Sequence, residues 1–150
     1  MLKRGLFVLL IIVALLFSVV SYASTNYTGN MLIIINDTAN EMLGLSYDIN
    51  QLEIGEISTS TFINRIEIKK ANALGNLEAI IKAADNAPDE EFHAEFVSVI
   101  SSWYVVTNLI EKGIRNGDIG KINGATQVMD YINNKLDELT TQLESGDAQL

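Results

Sequence analysis

From Met31 onward, apolar side chains recur every three or four residues. Met31, Ile35, Thr38, Met42, Leu45, Ile49 and Leu52 alternate spacings of four and three. A helix returns one face to the same neighbour at that interval, whereas a strand would need a period of two. The stripe therefore predicts a long helix over residues 28–54 that buries one edge in a bundle seam. The local run Met31 to Ile35 has strand-like composition, but the sustained period that follows overrides it.

Three more stripes follow, separated by short turn signals. Gly55 marks the first turn, and Ser58 and Ser60 are candidate N-caps for a second helix, since a hydroxyl accepts from an otherwise unpaired first-turn amide. Its seam runs through Ile63, Ile66, Ala73, Leu77, Ile80 and Ala84, with Lys70 on the same stripe. The break Asp85-Asn86-Ala87-Pro88 leads to a third helix, with Pro88 expected at its first position, where a missing amide costs nothing. Asp89, Glu90 and Glu91 then place negative charge at the helix's positive end. Phe92, Phe96, Val99, Trp103, Val106 and Ile110 form the third seam. Asn116-Gly117-Asp118 supplies a left-handed stop and a cap for a fourth helix. Ile122, Thr126, Met129, Ile132, Leu136, Leu139 and Leu143 follow on it, and residues 144–150 read as a polar tail. Four rods joined by short turns predict an all-α, antiparallel, up-down-up-down four-helix bundle.

A different pattern precedes the bundle. Lys3 and Arg4 are followed by an apolar run from Leu6 to Phe17 and then by small residues up to Ser24. A basic head, an apolar middle and a small-residue cut site make up a secretory leader. Residues 1–23 are accordingly expected to be a signal peptide cleaved after Ala23, or an uncleaved signal-anchor helix holding residues 5–23 in the membrane. In both cases Lys3 and Arg4 stay cytoplasmic and residues 24–150 form an extracytoplasmic domain, secreted or anchored at its N-terminus. Export makes Asn26-Tyr27-Thr28 usable as a glycosylation acceptor. Asn26 is preferred over Asn36, which lies inside a predicted helix.

Charge and composition exclude several functions. Among 150 residues the formal charge is −9, falling to −11 if Lys3 and Arg4 leave with the leader. Such a surface repels nucleic-acid backbones, and no basic cluster interleaved with aromatics offsets it, so no nucleic-acid partner is expected. The chain has no Cys, which rules out disulfides, thiolate nucleophiles, cysteine-bound metals and a lipidated lipobox cysteine. No Gly-rich phosphate loop, nucleophile elbow or acidic calcium loop is present.

The remaining candidates are few. His93, the sole histidine, stands in Glu90-Glu91-Phe92-His93. Di-metal bundles repeat Glu-x-x-His on two helices. One copy at a helix start reads instead as a solvated histidine beside acidic caps. An axial pair of His93 with Met31, Met42 or Met129 is too weak a motif for haem, so no cofactor or metal is expected. Trp103 falls near mid-bundle opposite Ala39, Gly44, Ala71, Ala73 and Gly75, with Tyr131 at a similar height. Large-to-small packing accounts for that arrangement. A small-ligand pocket formed by Trp103, Tyr131, Lys70 and Gly44 is the alternative. Helical glycines at 44, 75 and 124 each cost about 1 kcal/mol relative to alanine. Lys70 is expected to snorkel to water at the seam edge or to meet an acidic partner, Glu41 and Asp48 of the first helix falling within a turn of its level.

Seams without convergent polar groups favour a non-enzymatic exported or tethered bundle that acts by protein–protein contact at the cell envelope. Its partner is an unknown protein, and a homo-oligomer is one such arrangement. The alternative is an extracytoplasmic, sensor-like bundle that binds a small ligand near Trp103 and Tyr131.

Overall fold

The computed structural model describes residues 27–87 and 89–145. It is all-helical, with four helices and no strand among the described residues: α1 (Tyr27–Glu53), α2 (Thr59–Lys82), α3 (Glu90–Asn116) and α4 (Ile119–Ser145). A 3₁₀ turn, Ala84–Asn86, links α2 to α3. Residues 1–26, which include the expected leader and Asn26, together with Pro88 and the last five residues, lie outside the described residues. No described helix is long and apolar enough to cross a membrane.

The helix limits follow local chemistry. Gly55 has φ +76°. The amides of Gly55 and Glu56 return to the carbonyls of Leu52 and Gln51 at 3.2 and 2.9 Å, closing α1 with a Schellman motif. Gly117, at φ +64°, repeats the device on α3: Asp118 N–H reaches the Gly113 carbonyl at 2.8 Å. Ser58 Oγ accepts from the Thr61 amide and caps α2. Ser60 does not cap; it lies inside the first turn, its hydroxyl bonded to that of Ser58. The third helix starts at Glu90 rather than at residue 88. Asp89 is its N-cap, and its Oδ1 accepts from the Phe92 amide at 2.6 Å. Asp118 Oδ1 accepts from the Lys121 amide and opens α4.

Cross-helix ion pairs fix the directions. Arg65 meets Asp48, and Lys69 reaches back from α2 to Glu41 and Asp48 on α1. Lys70 and Arg115 join α2 to α3, while Lys135 joins α4 to Glu95 of α3. From Asp48 back to Glu41 on α1 the partners advance from Arg65 to Lys69 on α2, and from Lys70 back to Glu67 on α2 they advance from Glu111 to Arg115 on α3, so these helices run antiparallel, and the short turn at Gly117 reverses α4 against α3. The order of neighbours is α1–α2–α3–α4, with α4 returning to α1.

The core lies along the predicted seams. Met31, Ile35, Met42 and Leu45 of α1 are buried against Phe96, Trp103 and Ile110 of α3 and Ile132 and Leu139 of α4. A large apolar side chain buried this way contributes about 1.5–3 kcal/mol by transfer from water. Two seams shift by one residue. On α2, Phe62 is fully buried while Ile63 is half-exposed, and Ala84 is exposed in the 3₁₀ turn. On α4, Ala125 is buried and Thr126 is exposed.

The packing is uneven. α3 approaches α2 and α4 closely, and α1 stands further from both its neighbours. Gly113 is one reason for the tight α3–α4 contact: a Cβ there would lie 2.7 Å from Ile122 Cγ1 and 3.1 Å from the Asp118 carbonyl oxygen. Gly75 of α2 has nothing within 4 Å of the same position. Alanine substitution is thus expected to act with opposite signs at the two sites. Gly113→Ala destabilises by about 1–3 kcal/mol through overpacking against backbone, and Gly75→Ala stabilises by about 1 kcal/mol through helix propensity. Urea denaturation of the two variants beside the parent checks the pair.

Candidate functional site

The polar side chains converge between α1 and α2. On α1, Glu41, Gly44 and Asp48 share one edge, being three and four residues apart. On α2, Arg65, Lys69 and Asn72 do the same, facing them in antiparallel order. Arg65 Nη1 donates to Asp48 Oδ1 at 2.6 Å, and Asn72 Nδ2 donates to Glu41 Oε1 at 2.7 Å. The Lys69 ammonium sits between the two carboxylates, 3.4 Å from Asp48 Oδ2 and 3.9 Å from Glu41 Oε2. Gly44 makes room for it, since a Cβ there would be 2.9 Å from Lys69 Nζ.

These distances separate attraction from hydrogen bonding. A charge-assisted N–H···O bond is about 2.7–2.9 Å long, so Lys69 is ion-paired without being tightly hydrogen-bonded. Glu41 Oε2 is buried with no hydrogen-bond partner. Lys69 is only 15% exposed and Asp48 only 7%, so the ladder is shielded from screening by salt.

Beside this ladder lies a cleft of about 560 Å³, lined by Asp37, Asn40 and Glu41 of α1 and by Lys69, Ala71, Asn72, Gly75 and Asn76 of α2. Its volume falls in the usual range for small-molecule sites. The stand-off of α1 opens it, and Ala71 and Gly75 keep its α2 wall low.

The residues expected to form a pocket are dispersed. Trp103 is fully enclosed and Tyr131 is 44% exposed; neither lines the cleft. Trp103 packs in the core with Ala39 and Ala73, while Gly44 serves Lys69. Lys70 does not meet Glu41 or Asp48. Its ammonium contacts Glu111 Oε2 of α3 at 2.6 Å. Successive helical residues differ by about 100° in direction, so Lys69 faces α1 and Lys70 faces α3. Arg115 also binds Glu111, at 2.8 Å, and the Lys70 and Arg115 cations hold that carboxyl below its ordinary range.

His93 is buried rather than solvated. Its Nδ1 shares a 2.9 Å hydrogen bond with the Tyr27 hydroxyl, joining the first turns of α1 and α3. Burial, aided by the charge of Asp89, pushes the Tyr27 hydroxyl up to about 12. Among the described residues no three His, Asp or Glu side chains gather as a metal site. The Tyr27–His93 contact also brings the starts of these two helices to the same end of the bundle. Thr38 Oγ1 and Trp103 Nε1 are both buried without a hydrogen-bond partner, which is costly in a core.

Sequence reasoning missed Arg65, Lys69, Asn72 and Asp48 as a group. The available signal was their position beside the apolar seams, where bundles place interhelical charge pairs.

Two outcomes follow. Asp48→Asn leaves Lys69 and Arg65 without their shared carboxylate and is expected to cost about 2 kcal/mol, read by urea denaturation. A carboxyl whose folded pKa is depressed contributes stability that is present above its unfolded value and lost as pH falls through the folded one. Glu111, lowered from 4.5, therefore contributes to acid sensitivity below about pH 4.5. Glu111→Gln should lower stability at pH 7 and flatten its decline as pH falls below about 4.5.

The chain matches no family model, no curated protein and no solved structure at a significant level.

Proposed function

We propose that this chain is an exported or membrane-tethered, non-enzymatic four-helix bundle that works by contact with a protein partner at the cell envelope. The leader-like pattern of Lys3, Arg4 and the apolar run to Phe17 supports export. It places residues 1–23 as signal peptide or anchor helix ahead of the domain at 24–150.

One observation carries the contact surface. Among the described residues, six of nine exposed large apolar side chains lie on the α1–α2 hairpin: Ile33, Tyr47, Ile54, Ile68, Leu74 and Ile81. Ile33, Tyr47 and Ile54 are spaced by multiples of seven and so share one stripe of α1 and its C-terminal turn. The α1 stripe is the candidate contact surface, since aligned apolar side chains mark an interaction face and singly scattered ones, as on α2, do not. α1 has no Lys or Arg, and two of its acids, Asp37 and Glu53, are exposed, while Glu41 and Asp48 are engaged by α2. The partner that fits is a helix with an apolar ridge and basic flanks.

The rival reading, a small-ligand-binding bundle, is favoured by the α1–α2 cleft and no longer by Trp103 with Tyr131.

The test is photocrosslinking in cells from position 47 of the full chain, with position 105 of α3 as the comparison. A discrete adduct is expected from position 47 and not from 105, and Ile54→Glu should abolish it. Equal adducts from both positions, or none from 47, would remove the proposal. Intact mass of the recovered chain tests export: loss of residues 1–23, or full length in the membrane fraction, is expected. Full-length chain confined to the cytosol contradicts it.

A further inference from the structure

The α1–α2 cleft holds two opposite charges whose hydrogen-bonding capacity is unspent. Lys69 Nζ stands 3.4 and 3.9 Å from its two carboxylates, beyond the usual length of a charge-assisted bond. Glu41 Oε2 is buried and accepts no hydrogen bond. One group therefore lacks short acceptors and the other lacks a donor, and the two are 3.9 Å apart. Leaving such groups under-bonded is expensive once they are shielded from water.

The rest of the lining extends both tendencies. Asp37 adds a second carboxylate on the Glu41 side. Asn40, Asn72 and Asn76 each offer amide donors and an acceptor. No aromatic ring lines the cleft, so nothing there stacks on a flat or sugar-like ligand.

We propose that this cleft is a binding site for a small zwitterion of amino-acid size. The ligand's carboxylate accepts from the Lys69 ammonium and the Asn72 or Asn76 amide. Its ammonium donates to Asp37 and to the Glu41 carboxylate, whose buried Oε2 turns outward to meet it. A purely cationic ligand would leave Lys69 facing a like charge, and a purely anionic one would face Asp37 and Glu41. Only a molecule carrying both charges within a few ångströms satisfies both walls. The site rests on the small-ligand reading above and is independent of the apolar partner face.

The geometry supplies a blocking variant that does not threaten the fold. Gly75 lines the cleft and has nothing within 4 Å of its Cβ position. Gly75→Leu fills the space while improving helix propensity. Calorimetric titration of the full chain with glycine, L-alanine and L-asparagine is the experiment, with ethylamine and propionate as single-charge controls. At least one zwitterion is expected to bind at least tenfold more tightly than either control. Gly75→Leu should weaken that binding at least tenfold with an unchanged helical circular-dichroism spectrum, and Glu41→Gln should weaken it as well. No heat from any of the three zwitterions, equal affinity for the single-charge controls, or binding undiminished by Gly75→Leu would each overturn the proposal. Tyr47→Ser should leave titration unchanged while removing the apolar contact face, so failure of the partner proposal and failure of this one are read separately.

Discussion

The third helix is the element on which the others depend. Its face from Phe92 through Phe96, Val99, Trp103 and Val106 to Ile110 is buried along its whole length, and α2 and α4 pack closely against it. An amphipathic helix of this length gains most of its stability from burying such a face rather than from propensity. Gly113 lets the α4 start lie against the end of α3, and Asp89 and Gly117 fix where α3 begins and stops. Three helices thereby form a tight unit, and α1 closes the fourth side.

α1 is attached differently. Its apolar edge enters the common core through Met31, Ile35, Met42 and Leu45. Its edge toward α2 is held by charges, with Asp48 and Glu41 receiving Arg65, Lys69 and Asn72. Long polar side chains keep backbones apart where small residues would let them touch. The same feature therefore explains the looser approach of α1, the room at Gly44 and the cleft beside Lys69. At the N-terminal end of α1 the Tyr27–His93 bond ties it to α3 across the bundle. Stability there declines as pH rises from 10 toward 12, because folding holds the Tyr27 hydroxyl in its neutral form.

Much of the fold was legible in the sequence because its determinants are local. Ser58, Gly117 and Asp118 act on amides and carbonyls within a few residues, and each was readable from its neighbours, whereas Asp89, read as first-turn charge behind Pro88, is itself the cap. The α1 and α3 seams were right nearly residue for residue, since a sustained three-four period leaves one face. The α2 and α4 seams slipped by one position at Phe62 and Ala125. There the apolar residues form adjacent pairs or are small, and periodicity does not say which member turns inward. His93 beside three acids read as a surface residue, because nothing near it in sequence reveals that Tyr27 closes over it from another helix.

The candidate site was less legible for the same physical reason. Neighbouring helical residues point about 100° apart, so a small rotation of α2 decides whether Lys69 or Lys70 meets the acids of α1. That rotation is set by Phe62, Ile66 and Ala73 finding their places against α3, which no local pattern encodes. Sequence alone determined the number of rods, most of their limits and the inward edges of α1 and α3, because capping and periodicity operate over a few residues. Tertiary packing decided how each rod is turned and how far apart it stands, and hence that Lys69, Glu41 and Asn72 share a cleft while Trp103 and Tyr131 do not.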